Sequence, residues 1–143
     1  MNTYVIDGSV AAKWVLPANG ETLTREALEL LRRYAAGDVR FVVPDLFWAE
    51  FGNILWKAVR QRRLRTASAE TAIRAMRDRN FPTVSSHTLL VEAFAIATAF
   101  DRAVYDALYV ALAITSKSQL ITADERLANA LAAHLPIKWL GSL

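Results

Sequence analysis

Residues 4–15 read YVIDGSVAAKWV, and this stretch decides how the rest of the chain is read. Tyr4, Val5 and Ile6 make the short β-branched and aromatic run of a buried strand. The residues after Gly8 are apolar without alternation and stop at Pro17, as a short helix does. A strand passing directly into a helix opens a β–α unit, so TYVID (3–7) is expected as a strand and GSVAAKWVL (8–16) as a helix. One carboxylate, Asp7, stands at the junction, at the edge of what should be the core.

The alternation continues to the C-terminus. Leu23, Ala27, Leu30, Leu31 and Tyr34 recur at helical spacing over 21–36, with Gly37 as the stop. FVVP (41–44) reads as a strand, and Asp45 is placed to cap a helix running from Leu46 to about Arg63. Ser68 is expected to open a helix ending near Arg79, followed by a strand at PTVSS (82–86) and a helix at HTLLVEAFAIATAF. Ala103 to Thr115 predicts a further, very apolar helix, then QLIT (119–122) a strand. Asp124 can cap ERLANALAA, and PIKWL (136–140) is a last strand. Strands separated by helices imply an α/β fold: a central parallel sheet of four to five strands, flanked by helices on both faces, as one domain over 1–143. In such sheets ligands sit beyond the carboxyl ends of the strands, where both Asp7 and Asp124 fall.

Composition narrows the class. With 143 residues, 54% of them hydrophobic and 22% charged, the chain suits one globular domain rather than a disordered tail. No cysteine is present, which removes disulfides and thiolate metal sites and suits a reducing compartment. The first residues lack the basic start and apolar run of a secretory signal, and no stretch is apolar for long enough to span a membrane. A cytoplasmic protein with no membrane partner is expected. The net charge is only +3, yet KAVRQRRLR (57–65) carries five cations and no acid. Such a run is either a solvated helix end or a surface for an anionic partner, to which arginine forks are well suited.

Two further acids sit where apolar residues would fit. Glu50 in DLFWAEFGNILW is surrounded by Leu46, Phe47, Trp48, Phe51, Ile54, Leu55 and Trp56. Asp106 is the only charge between Arg102 and Lys117. Burying an ionised carboxylate costs several kcal/mol (~3–5) unless something compensates it. Each acid also has a structural explanation: a turn for Asp7, a helix cap for Asp124, an arginine for Glu50, a neighbouring helix N-terminus for Asp106. One shared site serves all four at once. Carboxylates so grouped need a cation, and all-oxygen ligation selects Mg²⁺ or Mn²⁺ over zinc. Acids holding a hard cation beside an arginine-rich helix point to metal-dependent phosphodiester hydrolysis.

The segments VIDGSVAAKWVL, PDLFWAEFGN, VYDALYVALA and LITADERL resemble the PIN-domain family, and within it the VapC-type toxins of prokaryotic toxin–antitoxin pairs. YDALYVALA followed by TADERL is the most specific part, and the resemblance runs over essentially the whole chain. It implies a Mg²⁺- or Mn²⁺-dependent ribonuclease leaving 5′-phosphate and 3′-hydroxyl ends. It also implies an RNA substrate, a VapB-like antitoxin as partner, and a homodimer. The family's four acids fall on Asp7, Glu50, Asp106 and Asp124, which would be both catalytic and metal-holding. Ser9, Asn53 and Thr122 would orient those carboxylates by hydrogen bonds, Asn53 lying one turn after Glu50. Asp101 rivals Asp106 for the third place but lies elsewhere on the helix. Lys13 and Arg102 are candidates to line the acidic pocket, while His87 and His134 look like surface or cap residues. An rRNA-maturation nuclease of the same superfamily, or an inactive RNA- or protein-binding relative, remains the alternative.

Overall fold

The computed structural model describes residues 2–143; Met1, the first residue of the domain expected over 1–143, lies outside it. In chain order the elements are β1 (Asn2–Ile6), α1 (Gly8–Ala12), α2 (Thr24–Ala35), β2 (Val39–Pro44), α3 (Leu46–Arg60) and α4 (Thr66–Asp78). There follow β3 (Thr83–Val84), α5 (Ser86–Phe100), α6 (Val104–Thr115), β4 (Gln119–Thr122), α7 (Glu125–Leu131) and β5 (Ile137–Trp139), with a 3₁₀ turn at Leu140–Ser142.

The five strands form one sheet in the order β3-β2-β1-β4-β5, and each neighbouring pair is parallel. β1 lies at the centre, pairing Val5 with Val42 on one side and with Leu120 on the other. Val5, Ile6, Val43, Leu120 and Ile121 are wholly buried, which is why these strands read as unbroken apolar runs rather than alternating ones. From β1 the chain winds outward through β2 to β3, then returns to place β4 on the opposite side of β1. Right-handed crossovers in the two directions put their helices on opposite faces of the sheet. The reversal leaves a crevice between the carboxyl ends of β1 and β4, the place where doubly wound sheets take their ligands.

An aromatic cluster closes one flank of the core. Phe41 stacks between Tyr34 at 4.9 Å and Trp14 at 5.8 Å, with Phe81 edge-on at 5.6 Å. The Trp14 indole N–H donates to the Ala27 carbonyl at 2.8 Å, tying α1 to α2. Trp48 is packed too, lying along Phe81 and donating to the Thr83 hydroxyl at 3.0 Å. Trp56 is half exposed, with the Arg60 guanidinium 5.1 Å above its ring.

Element ends differ from expectation for local reasons. α1 stops at Ala12 and continues only as turns, and α2 starts at Thr24 because Leu23 adopts a left-handed φ of 59°. α3 ends at Arg60 rather than Arg63, since Arg62 turns left-handed (φ 59°) and the Arg63 N–H closes back onto the Ala58 carbonyl. Asp45 precedes α3 without a side-chain cap; its carboxylate instead accepts from the Ser86 hydroxyl. α4 opens at Thr66, two residues before Ser68. The strand expected over 82–86 shrinks to Thr83–Val84 because Ser85 caps α5, accepting from the His87 N–H at 3.1 Å.

Candidate metal-dependent active site

The crevice at the ends of β1 and β4 holds Asp7. It follows the last residue of β1 and caps α1, accepting from the Val10 N–H at 3.1 Å. The same oxygen accepts from Ser9 Oγ at 2.5 Å, and the other accepts from Thr122 Oγ1 at 2.7 Å. Thr122 is wholly buried at the end of β4. Its hydroxyl also accepts from the Asp124 N–H at 3.1 Å, so one threonine links the first acid to the loop carrying the fourth. Asp124 caps α7 through the Leu127 N–H at 3.1 Å, and the rest of its carboxylate is exposed.

Glu50 comes from the first turns of α3, which packs against α1. Its Oε1 accepts from the Gly8 N–H at 2.6 Å and from the Tyr109 hydroxyl at 3.0 Å. Oε2 has no hydrogen-bond partner among the described residues. The approach to Gly8 is so close that a Cβ there would lie 2.7 Å from Oε1 and 2.9 Å from Cγ. A glycine at this position is thus demanded by Glu50, while the turn itself needs no left-handed backbone, since the positive-φ glycines are Gly20 and Gly37.

Asp106 lies in the first turn of α6, half-buried, with no hydrogen bond to either oxygen among the described residues. Tyr109, one turn further along, is buried and reaches Glu50. The sequence reading missed Tyr109. Its signal was a phenol three residues after Asp106, on the same side of a very apolar helix. Asn53 is exposed on α3, and no hydrogen bond joins it to the acids among the described residues. Asp101 is exposed at the left-handed position (φ 54°) that ends α5. His87 and His134 are exposed and far along the chain from the acids.

Three of the four carboxylates feel the charge of a neighbouring acid. Burial pushes the Asp7 carboxyl up, its three donors pull against that, and the charge of Asp106 adds to the rise. Glu50 is raised by burial and by Asp7, with a further contribution from Asp106. Asp106 is raised by burial and by Asp124, and Arg102 only partly relieves it. Burial and the facing Glu50 charge push the Tyr109 phenol up, so it stays a proton donor to that carboxylate. None of the four acids forms an ion pair with a lysine or arginine among the described residues. The arginine that would have explained Glu50 structurally is absent from its surroundings.

The donor set fits a hard cation. All groups are oxygens, and Glu50 Oε2, both oxygens of Asp106 and one of Asp124 carry no hydrogen bond. Among the described residues no three acid or histidine side chains close tightly enough to enclose an ion directly. Mg²⁺ keeps several waters of its own and is held directly by only one or two carboxylates.

Known proteins resemble this chain in sequence and in fold. The PIN-domain family model matches residues 4–131. Ribonuclease VapC3 of Pyrobaculum aerophilum is 31% identical over 132 residues, spanning 90% of this chain and 95% of the relative. Among solved structures, VapBC2 from Rickettsia felis, bound to a DNA fragment from its promoter, superposes with a TM-score of 0.64. It is 13% identical and aligns over 96% of this chain and 98% of that one. The Mycobacterium tuberculosis toxin VapC20, which cleaves the sarcin–ricin loop, superposes with a TM-score of 0.64. It is 17% identical over 92% and 95% of the two chains. At these identities the two structures speak for the fold.

Proposed function

The chain belongs to the PIN-domain family, and from that premise we propose that it is a divalent-cation-dependent endoribonuclease, the toxin of a VapBC-type pair. The observation that carries this reading is a set of four carboxylates, three of them pushed up by burial and a neighbouring acid and none ion-paired with a lysine or arginine among the described residues. The relation to a named ribonuclease supports RNA as the substrate, and the likeness to VapBC2 supports an antitoxin partner. A homodimer belongs to the same proposal. No described helix is long and apolar enough to cross a membrane.

Asp7, Glu50, Asp106 and Asp124 would hold Mg²⁺ or Mn²⁺, which supplies Lewis-acid polarisation of a phosphoryl oxygen and lowers the pKa of water. The chain's own residues do the positioning. Ser9, Thr122 and the Val10 N–H fix the Asp7 carboxylate in one orientation. The Gly8 N–H and Tyr109 fix Glu50 through Oε1, leaving Oε2 to face the site. Asp106, whose oxygens are free, takes the proton of the attacking water. Attack in line with the bond to the 3′ oxygen would break that bond, and with the departing oxygen taking a proton from solvent the products are a 5′-phosphate and a 3′-hydroxyl.

The test is cleavage of total RNA by purified protein in Mg²⁺, Mn²⁺ or EDTA, with Asp106→Asn and Asp101→Asn alongside. Cutting that requires the cation, and that Asp106→Asn lowers by about 100-fold or more while Asp101→Asn does not, is the expected result. Absence of cutting by folded, partner-free wild type on several RNAs would leave a binding module.

A further inference from the structure

Beside the acids lies a second charged group that hydrolysis as described does not use. Lys13, at the end of α1, has a side chain only 9% exposed, and its ammonium donates to Glu21 Oε1 at 3.2 Å. Arg63, just past α3, reaches the other oxygen of the same carboxylate at 2.6 Å. Glu21 is itself 15% exposed, and the two cations hold its carboxyl below the usual range against the effect of burial. Lys13, Glu21 and Arg63 line one cleft together with Ser9 and Asp124. The cleft therefore joins Asp124, the fourth acid, to the cations. Arg62, Arg63 and Arg65 then line the adjoining hollow at the end of α3.

The bookkeeping of charge and donors is specific. Two cations share one carboxylate, so the triad carries a net charge of +1 at the rim of an acidic site. Lys13 has three N–H donors and spends one on Glu21; Arg63 has five and spends one. Glu21 thus restrains two long side chains that would otherwise lose rotamer freedom on binding, while leaving most of their donors open. We infer that Lys13 and Arg63, braced by Glu21, form the subsite for an RNA backbone phosphate next to the one that is cut, with Glu21 as a positioning residue. The inference rests on the RNA-hydrolase reading above, and it fixes where the strand leaves the acids: over α1 and onto the arginine turn after α3.

The experiment is binding, measured in EDTA so that nothing is cut. A short fluorescent single-stranded RNA is titrated by anisotropy over a range of salt against wild type, Lys13→Met, Arg63→Met and Glu21→Gln. Thermal melts establish that each variant is folded; Arg63→Met, at the exposed rim, keeps the test alive if burial makes Lys13→Met unstable. Each cation variant is expected to weaken binding about fivefold and to reduce the slope of log affinity against log salt by about 0.7. Glu21→Gln is expected to weaken binding too, although it makes the protein more positive. An uncharged methylphosphonate strand should bind all four proteins alike. Tighter binding by Glu21→Gln, or unchanged salt slopes in both cation variants, overturns the inference and leaves the triad as a structural staple. Wild-type cleavage in Mg²⁺ is scored separately. Cutting with unchanged variant binding sinks the subsite alone, and the binding pattern without cutting sinks the nuclease reading alone.

Discussion

Gly8 illustrates how one missing atom serves the site. Its N–H anchors Glu50 at 2.6 Å, and the space a Cβ needs is already taken by that carboxylate and by the Phe51 backbone at 3.1 Å. Gly8→Ala should push Glu50 off its donor, destabilise the protein by about 1–3 kcal/mol and abolish cleavage. Melting curves and the RNA assay check both halves of that expectation. Tyr109→Phe makes a gentler cut in the same network. It removes one of two donors to Glu50 Oε1, at a cost of about 1 kcal/mol in stability, and should weaken Mn²⁺ binding about tenfold. Calorimetric titration of Mn²⁺ into the two proteins tests it, and equal affinities would remove Tyr109 from the site. Neither role was legible in the sequence. Both functions depend on Glu50 arriving from a helix 42 residues away from one and 59 from the other.

Among the elements, α3 shows how a helix end can be set by a strained residue. Arg62 occupies the left-handed position that glycine would fill at less cost, and α3 stops three residues short of its apparent length as a result. Arg62→Gly should relieve that strain and raise stability by about 0.5–1 kcal/mol, the gain being trimmed by a more flexible unfolded chain. A thermal melt reads it directly. The ends of β3 and α5 teach the same lesson. Thr83 and Val84 favour a strand, yet Ser85 accepts from the His87 N–H and so starts a helix inside the expected strand. The apolar interiors of these elements were readable from periodicity, whereas their boundaries turned on single side-chain hydrogen bonds and positive φ angles.

At the scale of the whole molecule, the acid cluster makes metal-free stability depend on pH in a definite sense. Asp7, Glu50 and Asp106 have folded-state pKa values above those of the unfolded chain. Between the unfolded and folded values the folded protein binds more protons, so stability falls as pH rises through that window and then levels off. Glu21 and Asp45 are shifted down, so their contribution is present above the unfolded value and is lost as pH falls through the folded one. In EDTA, melting temperature should therefore peak on the mildly acid side and decline toward neutrality. Saturating Mg²⁺ should remove that decline, since bound cation replaces the missing countercharge. Asp106→Asn should raise the metal-free melting temperature by about 1–3 °C at neutral pH, because it deletes a repelled charge whose oxygens hold no hydrogen bond. A flat profile in EDTA would contradict the coupling of the acids. The order of strands and helices, the apolar core and the oddity of four acids in apolar settings were all determined by the sequence alone. Those features follow from local periodicity and from the cost of burying charge, which act along the chain. Tertiary structure alone decided which acids meet, which oxygens stay free, that Glu50 needs Gly8 and Tyr109, and that Glu21 joins Lys13 to Arg63. Each of these depends on how separate elements pack, α3 against α1 and α6 against α3 among them, and no local pattern encodes it.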